Sequence, residues 1–167
     1  MTNKEKIDFV NIVYAIAEPE TKKTVLSMLD KYSHVFSSKD KTNLKFLIGE
    51  LPNYEGDLNL EYIKQLSDNI NFNNKGSVYL NSLTTLPEGI KFNNEGDVYL
   101  NSLTTLPKDT KFNNKGYVDL YSLTTLPKDT KFNNKGNVYL DLLNYSNLPN
   151  GFVFNNKGNV YLKDKTL

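Results

Sequence analysis

The chain has 167 residues, a net charge of +1 and an apolar fraction of 38%, which suffices for one domain or for a small cap plus a repeat array. It contains no cysteine, so disulfides, thiolate nucleophiles and cysteine-ligated metal sites are excluded. All 20 basic residues are lysine, which disfavours nucleic-acid recognition because arginine is the preferred bidentate reader of phosphate and guanine.

The first 55 residues predict a helical cap. Apolar residues between Ile7 and Ala17 follow the spacing of one helical face. A second helix, about 20–31, begins after Pro19, and a third, about 39–50, begins after a cap at Ser37 and Ser38 and ends at Pro52. We expect this cap to cover the first edge of the array that follows.

The N-terminus lacks the long apolar core and small-residue cleavage site of a signal peptide. No stretch reaches the ~18–20 apolar residues of a membrane span. The sequence therefore predicts a cytoplasmic protein without a membrane segment.

From residue 56 to 167 the chain is periodic. Six glycines recur at steps of 20 residues, the last step being 22: Gly56, Gly76, Gly96, Gly116, Gly136 and Gly158. Self-similarity at this period is typical of a solenoid in which each repeat forms one coil. Each glycine stands two residues before a strand, where we expect it to permit a tight turn.

Each coil carries one short strand with two aliphatic residues around a polar or aromatic one. Period two places the aliphatics inside and the middle residue outside. Six such strands predict one parallel sheet with right-handed crossovers. Recurring leucines and phenylalanines are expected to fill the interior, and the recurring Asn-Asn pairs to form ladders that satisfy backbone groups. The strand segments are 58–60, 78–80, 98–100, 118–120, 138–140 and 160–162.

The phrase VYLNSLTTLP resembles the leucine-rich repeat. Leu80, Leu83, Leu86 and Pro87 match that family's pattern, as do their copies twenty and forty residues on, and the segment 83–100 is similar to short repeats of phages and mobile elements. The family's usual asparagine after the strand is missing here, and the connection is one residue shorter. The resemblance implies an α+β fold, a helical cap followed by a right-handed leucine-rich-repeat-like solenoid that binds proteins.

Catalytic constellations are not apparent in the sequence. His34 is the one histidine and is best interpreted as an ordinary helix-end residue. Asp57 and Asp97 occupy equivalent positions two coils apart, with Ser77 between them. Because glycoside hydrolysis would need two carboxylates in a cleft, we do not expect these two to form a catalytic pair. We therefore predict a protein that is not an enzyme and has no cofactor and no metal.

The outward face of the sheet is the candidate partner-binding surface. Tyrosine, asparagine and aspartate on a rigid platform are typical of protein-recognition surfaces. The fourth coil inverts the repeated pattern to Tyr-Asp-Tyr, which marks a candidate contact centre; the alternative is that the tyrosines form a structural ladder. The predicted contact residues are Tyr79, Tyr99, Asn101, Tyr117, Asp119, Tyr121, Tyr139, Asp141 and Tyr161.

The sequence thus predicts a protein-binding module, and the phage-like repeat style implies an inhibitor of a bacterial defence protein. One alternative is nucleic-acid binding along a convex lysine stripe, for which a solubilising role is the preferred interpretation. Another is self-assembly into a homo-oligomer or a structural array through the end coils.

Overall fold

In this computed structural model, the described residues are 23, 26–27, 29–31, 33–34, 36–47, 49, 51, 53–61, 63–66, 68 and 70–167. Within them no helix combines the length and the apolar character needed to cross a membrane. The first predicted cap helix lies outside the described residues. The described positions of the second predicted helix, 23, 26–27 and 29–31, are helical.

Helix α1, Ser38–Leu47, is the third predicted helix. Its N-terminus is closed reciprocally: the Asp40 N–H donates to Ser37 Oγ at 3.1 Å, and the Ser37 N–H donates to Asp40 Oδ2 at 3.1 Å. This is a capping box with aspartate in the acidic position. The predicted cap at Ser37 is therefore confirmed.

Six strands form one parallel sheet, here the front sheet. Its neighbours pair in the register set by the repeat, as in Val78 opposite Val98 and Val98 opposite Val118. The predicted parallel six-stranded sheet is confirmed. In spatial order the strands are β1 (Leu58–Asn59), β3 (Val78–Tyr79), β5 (Val98–Tyr99), β7 (Val118–Asp119), β9 (Val138–Leu140) and β10 (Val160–Leu162).

A second parallel sheet, the back sheet, lies across the core from the front sheet. The sequence predicted only an extended return path here, yet four returning segments pair in register, Lys91 opposite Lys111 and Lys111 opposite Lys131. Its strands are β2 (Asn71–Phe72), β4 (Lys91–Phe92), β6 (Lys111–Phe112) and β8 (Lys131–Phe132).

The interior is built from columns of identical side chains. The valines and leucines of the front strands are buried, and so are Leu83, Leu103 and Leu123, as predicted. The back-sheet phenylalanines stack face to face, with ring centroids 5.1–5.2 Å apart from Phe72 to Phe132. Because each coil buries its side chains on its neighbours, the coils stabilise one another.

The repeated glycines permit close approach of the coils. The three positive-φ glycines of the described residues are Gly49, Gly89 and Gly151, none of which belongs to the repeated set. All six repeated glycines lie in a bend before their strand, as predicted, but none of these bends needs a positive φ. Instead, a Cβ on Gly136 would lie 2.6 Å from the Gly116 carbonyl carbon and 2.6 Å from the Tyr117 nitrogen. The Gly136 N–H also donates to the Gly116 oxygen at 3.1 Å.

The second asparagine of the first four Asn pairs is buried beside this glycine column. Asn94 Nδ2 lies 3.2 Å from the Gly76 oxygen, 3.0 Å from the Gly96 oxygen and 3.2 Å from the Asp97 oxygen. The first asparagine of each pair is exposed, and in three coils its side chain donates to the preceding coil, as Asn113 does to Asn93 Oδ1 at 2.8 Å. The buried ladder satisfies backbone groups, as predicted for the Asn pairs, whereas the exposed ladder joins side chain to side chain.

The ends of the array are covered by other parts of the chain. At the first coil, Asn43 of α1 donates to the Asn59 oxygen at 2.7 Å, and Phe46 extends the phenylalanine stack. At the last coil, the C-terminal residues fold back as an antiparallel bridge from Thr166 to Tyr161. The front sheet is thereby paired at its final edge.

Gly136→Ala should lower the free energy of unfolding by about 1–3 kcal/mol, because the added methyl group meets backbone atoms that cannot move aside. Gly56→Ala is the matched control, since its Cβ meets only the end of the Tyr54 side chain. Urea unfolding followed by circular dichroism measures both. Equal losses in the two variants would contradict the close-approach role.

Asp109→Gly should raise the free energy of unfolding by about 0.5 kcal/mol, because Asp109 has a φ of 57°, a left-handed conformation that costs less in glycine. Gly89 fills the same slot one coil earlier with a φ of 67°. Asp129→Gly is the control: Asp129 is not among the positive-φ residues, so its replacement should destabilise the protein by about 0.5–1 kcal/mol. The same sign for both changes would refute the interpretation.

Candidate protein-binding face

The outward side of the front sheet, here the tyrosine face, has three positions in each coil: one before the strand, one in its middle and one after it. The sheet register aligns these positions into three parallel columns. All nine predicted contact residues lie on this face or at its edge. The fold therefore brings together side chains that the sequence separates by up to 82 residues, from Tyr79 to Tyr161.

Stacked tyrosine pairs occupy the middle column on either side of the fourth coil. The ring centroids of Tyr79 and Tyr99 are 4.5 Å apart, and the two ring planes are nearly parallel, with an interplanar angle of 11°. The rings of Tyr139 and Tyr161 are 5.1 Å apart at 7°. Stacking of this kind adds about 0.5–1.5 kcal/mol per pair beyond burial.

Asp119 interrupts that column, and Tyr117 fills the interruption. The Tyr117 ring meets Tyr99 edge-on at 5.3 Å and Tyr139 edge-on at 5.6 Å. Its phenol oxygen is hydrogen-bonded to that of Tyr99. The five rings thus form one continuous row, here the tyrosine ladder, in which Tyr117 takes the place that the inverted repeat leaves open.

Three phenols of the ladder, those of Tyr79, Tyr99 and Tyr117, have raised pKa values. Burial, together with the hydrogen bond to Tyr117, raises the pKa of Tyr99 to about 12. Burial also raises the pKa values of Tyr79 and Tyr117. At neutral pH these hydroxyls are therefore available as hydrogen-bond donors and acceptors on a fixed surface.

Asp119 is a half-exposed carboxylate with fixed partners. The Tyr121 N–H donates to Asp119 Oδ1 at 3.2 Å. In the amide orientation that satisfies both groups, Asn101 Nδ2 lies 2.8 and 3.1 Å from the two carboxylate oxygens. Burial raises the pKa of Asp119, and the negative charge of Asp141 raises it further.

The polar column before the strands supports the backbone. Asp57 Oδ1 accepts the Ser77 N–H at 2.7 Å, Ser77 Oγ accepts the Asp97 N–H at 3.1 Å, and Asp97 Oδ1 accepts the Tyr117 N–H at 2.9 Å. Each side chain thus satisfies an N–H of the next coil. Asp57 and Asp97 have structural partners, and Ser77 lies between them.

Three large apolar side chains are exposed near the edge of this face. Tyr121 is 52% exposed, Leu142 41% and Tyr145 46%. Tyr121 was predicted from its place in the inverted coil. Leu142 and Tyr145 were not; they lie in the segment 141–149, whose two extra residues interrupt the repeat. That insertion was the signal that could have identified them.

Tyr145 is held in place on this insertion. It begins a short 3-10 helix, Tyr145–Asn147. Its N–H donates to Asp164 Oδ1 at 2.8 Å, and Lys165 Nζ lies 3.9 Å from its ring centroid. The exposed ring is therefore positioned by the C-terminal fold-back.

Other candidate chemistry does not gather into a site. His34 is exposed in a turn after the second helix. Over the described residues, no three His, Cys, Asp or Glu side chains lie together as metal ligands would. Comparison of the chain with protein-family models, with curated proteins and with solved structures found no match.

Tyr99→Phe should keep the stacked ring and remove the hydroxyl whose pKa is raised to about 12. In an alkaline titration followed by tyrosinate absorbance, the increase in absorbance near pH 12 should be smaller in the variant than in the wild-type protein. Since the raised pKa means that only the unfolded state loses this proton between about pH 10 and 12, wild-type stability should fall over that interval, and the variant's should fall less. A decrease confined to absorbance below about pH 10.5 would contradict the assignment.

Proposed function

We propose that the chain is a non-enzymatic protein-binding module of the leucine-rich-repeat type, with right-handed coils, and that it recognises a protein partner through the tyrosine face. The observation that carries the proposal is the combination of a rigid tyrosine ladder with three exposed apolar side chains, Tyr121, Leu142 and Tyr145. Protein interfaces concentrate their binding energy in a few such aromatic anchors within a polar surround.

The ladder supplies a preorganised surface. Each of its rings already contacts a neighbour in the same row, so little side-chain entropy remains to be lost on binding. The ring edges and hydroxyls face outward, and Asp119 and Asn101 hold each other in position beside them. This arrangement suits a protein surface rich in hydrogen-bonding groups.

The contact centre is placed at the edge of the face rather than at the centre of the ladder. Tyr117 contacts Tyr99 and Tyr139, so its replacement would disturb the ladder itself. Tyr121 is more exposed than any ring of the ladder and lies two residues after Asp119, the last residue of its strand. Asp141 occupies the matching slot of the next coil, and Leu142 follows it.

The similarity of the repeats to those of phages and mobile elements supports a narrower form of the proposal. In that form the protein acts in the host cytoplasm and inhibits a bacterial protein, such as a defence component, by covering its surface. The tyrosine face is about 24 Å across, at about 4.8 Å per strand, and presents three outward positions in each coil to such a contact.

Tyr121→Ala should weaken the partner complex by about 2 kcal/mol, roughly 30-fold, because it truncates the most exposed aromatic of the face. Affinity capture from the native cells with the wild-type protein identifies the partner, and titration with the purified variant measures the loss. The variant's thermal midpoint should stay close to wild type, since the change is at an exposed side chain.

Val153→Ala is the matched control, since Val153 is 66% exposed but lies outside the tyrosine face. It should leave affinity unchanged. Unchanged affinity in Tyr121→Ala, or an equal loss in both variants, would reject the tyrosine face as the binding surface.

A further inference from the structure

The net charge of +1 conceals a separation of charge between the two sheets. The tyrosine face carries five carboxylates and one lysine: Asp57, Glu61, Asp97, Asp119, Asp141 and Lys163. The outward positions of the back sheet and its continuation, here the lysine face, carry seven lysines and two glutamates: Lys75, Lys91, Lys111, Lys115, Lys131, Lys135, Lys157, Glu55 and Glu95. The two faces therefore differ sharply in the ligands they attract.

Three lysines of this face lie in register on adjacent strands. Lys91 pairs with Lys111, and Lys111 with Lys131, which spaces the cations by about 4.8 Å at the backbone. Within the described residues, the ion pairs on this face involve lysines outside this row: Lys75 pairs with Glu55, and Lys115 pairs with Glu95. Like charges directly opposite one another destabilise a sheet, so an external anion would relieve this repulsion.

A second lysine row runs parallel to the first. Between the rows lies the exposed asparagine ladder, in which Asn113 donates to Asn93 at 2.8 Å and Asn133 donates to Asn113 at 2.9 Å. Lys115 and Lys135 each follow the first row by four residues, a separation of at most about 13 Å in extended chain. The result is a surface with cations along both margins, interrupted in the second row by Glu95, and with uncharged amides between them.

We propose that the lysine face binds the phosphate backbone of nucleic acid without sequence selectivity. Two cation rows at most about 13 Å apart are comparable with the ~12 Å width of the major groove of a duplex. The amide ladder between the rows offers hydrogen bonds but no aromatic platform for unstacked bases, which single-strand binding uses. Duplex is therefore the preferred form.

The binding surface is independent of the proposed protein contact. The carboxylates of the tyrosine face repel phosphate and direct it to the lysine face. Lysine is a flexible point charge rather than a bidentate reader, so the contact is electrostatic. Five lysines of the face have no ion pair among the described contacts: Lys91, Lys111, Lys131, Lys135 and Lys157.

The test is fluorescence anisotropy of the full chain with a labelled mixed-sequence duplex of about 20 base pairs and with one of its strands. With up to five phosphates neutralised, the logarithmic salt slope should approach about −4.5, an affinity loss of about 500-fold from ~50 to ~200 mM salt. The duplex should bind more tightly than the single strand, and a second duplex of different sequence should bind equally.

The triple variant Lys91→Gln, Lys111→Gln, Lys131→Gln should reduce the salt slope by about 2.7, since each phosphate contact contributes about 0.9. The matched control removes three exposed lysines elsewhere: Lys39→Gln, Lys45→Gln, Lys163→Gln. It should retain the wild-type slope. Thermal melting checks that both variants fold, and the first should melt no lower than wild type, because it removes like-charge repulsion.

Absence of duplex binding at about 50 mM salt would overturn the proposal, as would an equal loss in the control variant. Binding of poly-glutamate with no binding of the duplex would also overturn it, by assigning the face to an acidic protein. None of these outcomes affects the Tyr121→Ala experiment, because the two faces carry different residues.

Discussion

The close approach of successive coils at the glycine column is the constraint on which the rest of the structure depends. A side chain there would meet the backbone of the preceding coil at about 2.6 Å in the case of Gly136. This approach lets the buried asparagines reach carbonyl groups of two coils at once, as Asn94 does. It also fixes the spacing at which both sheets, the phenylalanine stack and the tyrosine ladder are in register.

Much of this architecture could be predicted because the repeat itself encodes it. A period of 20 residues places Val78 beside Val98 whatever the intervening path, so the front sheet followed from the glycines and aliphatics. The back sheet was missed because each of its segments buries a single side chain, as Phe92 in Lys91–Phe92, and so lacks the pair of aliphatic residues that marked the front strands. The close approach of the coils at the glycines was not predicted, because a sequence shows where a side chain is absent and does not show which atoms occupy that space.

The candidate site was predicted in composition but not in arrangement. The inverted fourth coil drew attention to Tyr117, Asp119 and Tyr121, and the fold separates their roles. Tyr117 turns into the ladder between Tyr99 and Tyr139, Asp119 is held by Asn101 and the Tyr121 backbone, and Tyr121 projects outward. Such roles depend on which neighbouring coil offers room, and this is decided in three dimensions.

The two ends of the array differ from its middle, and this has a consequence for how such a protein changes length. Helix α1 meets the first coil through Asn43 and Phe46, and the C-terminal tail pairs with β10. A duplicated 20-residue unit inserted between two interior glycines would keep both termini intact and extend each surface by one rung. The length of both sheets can therefore change in evolution by duplication of whole repeats, while the residues that cover the two ends stay the same.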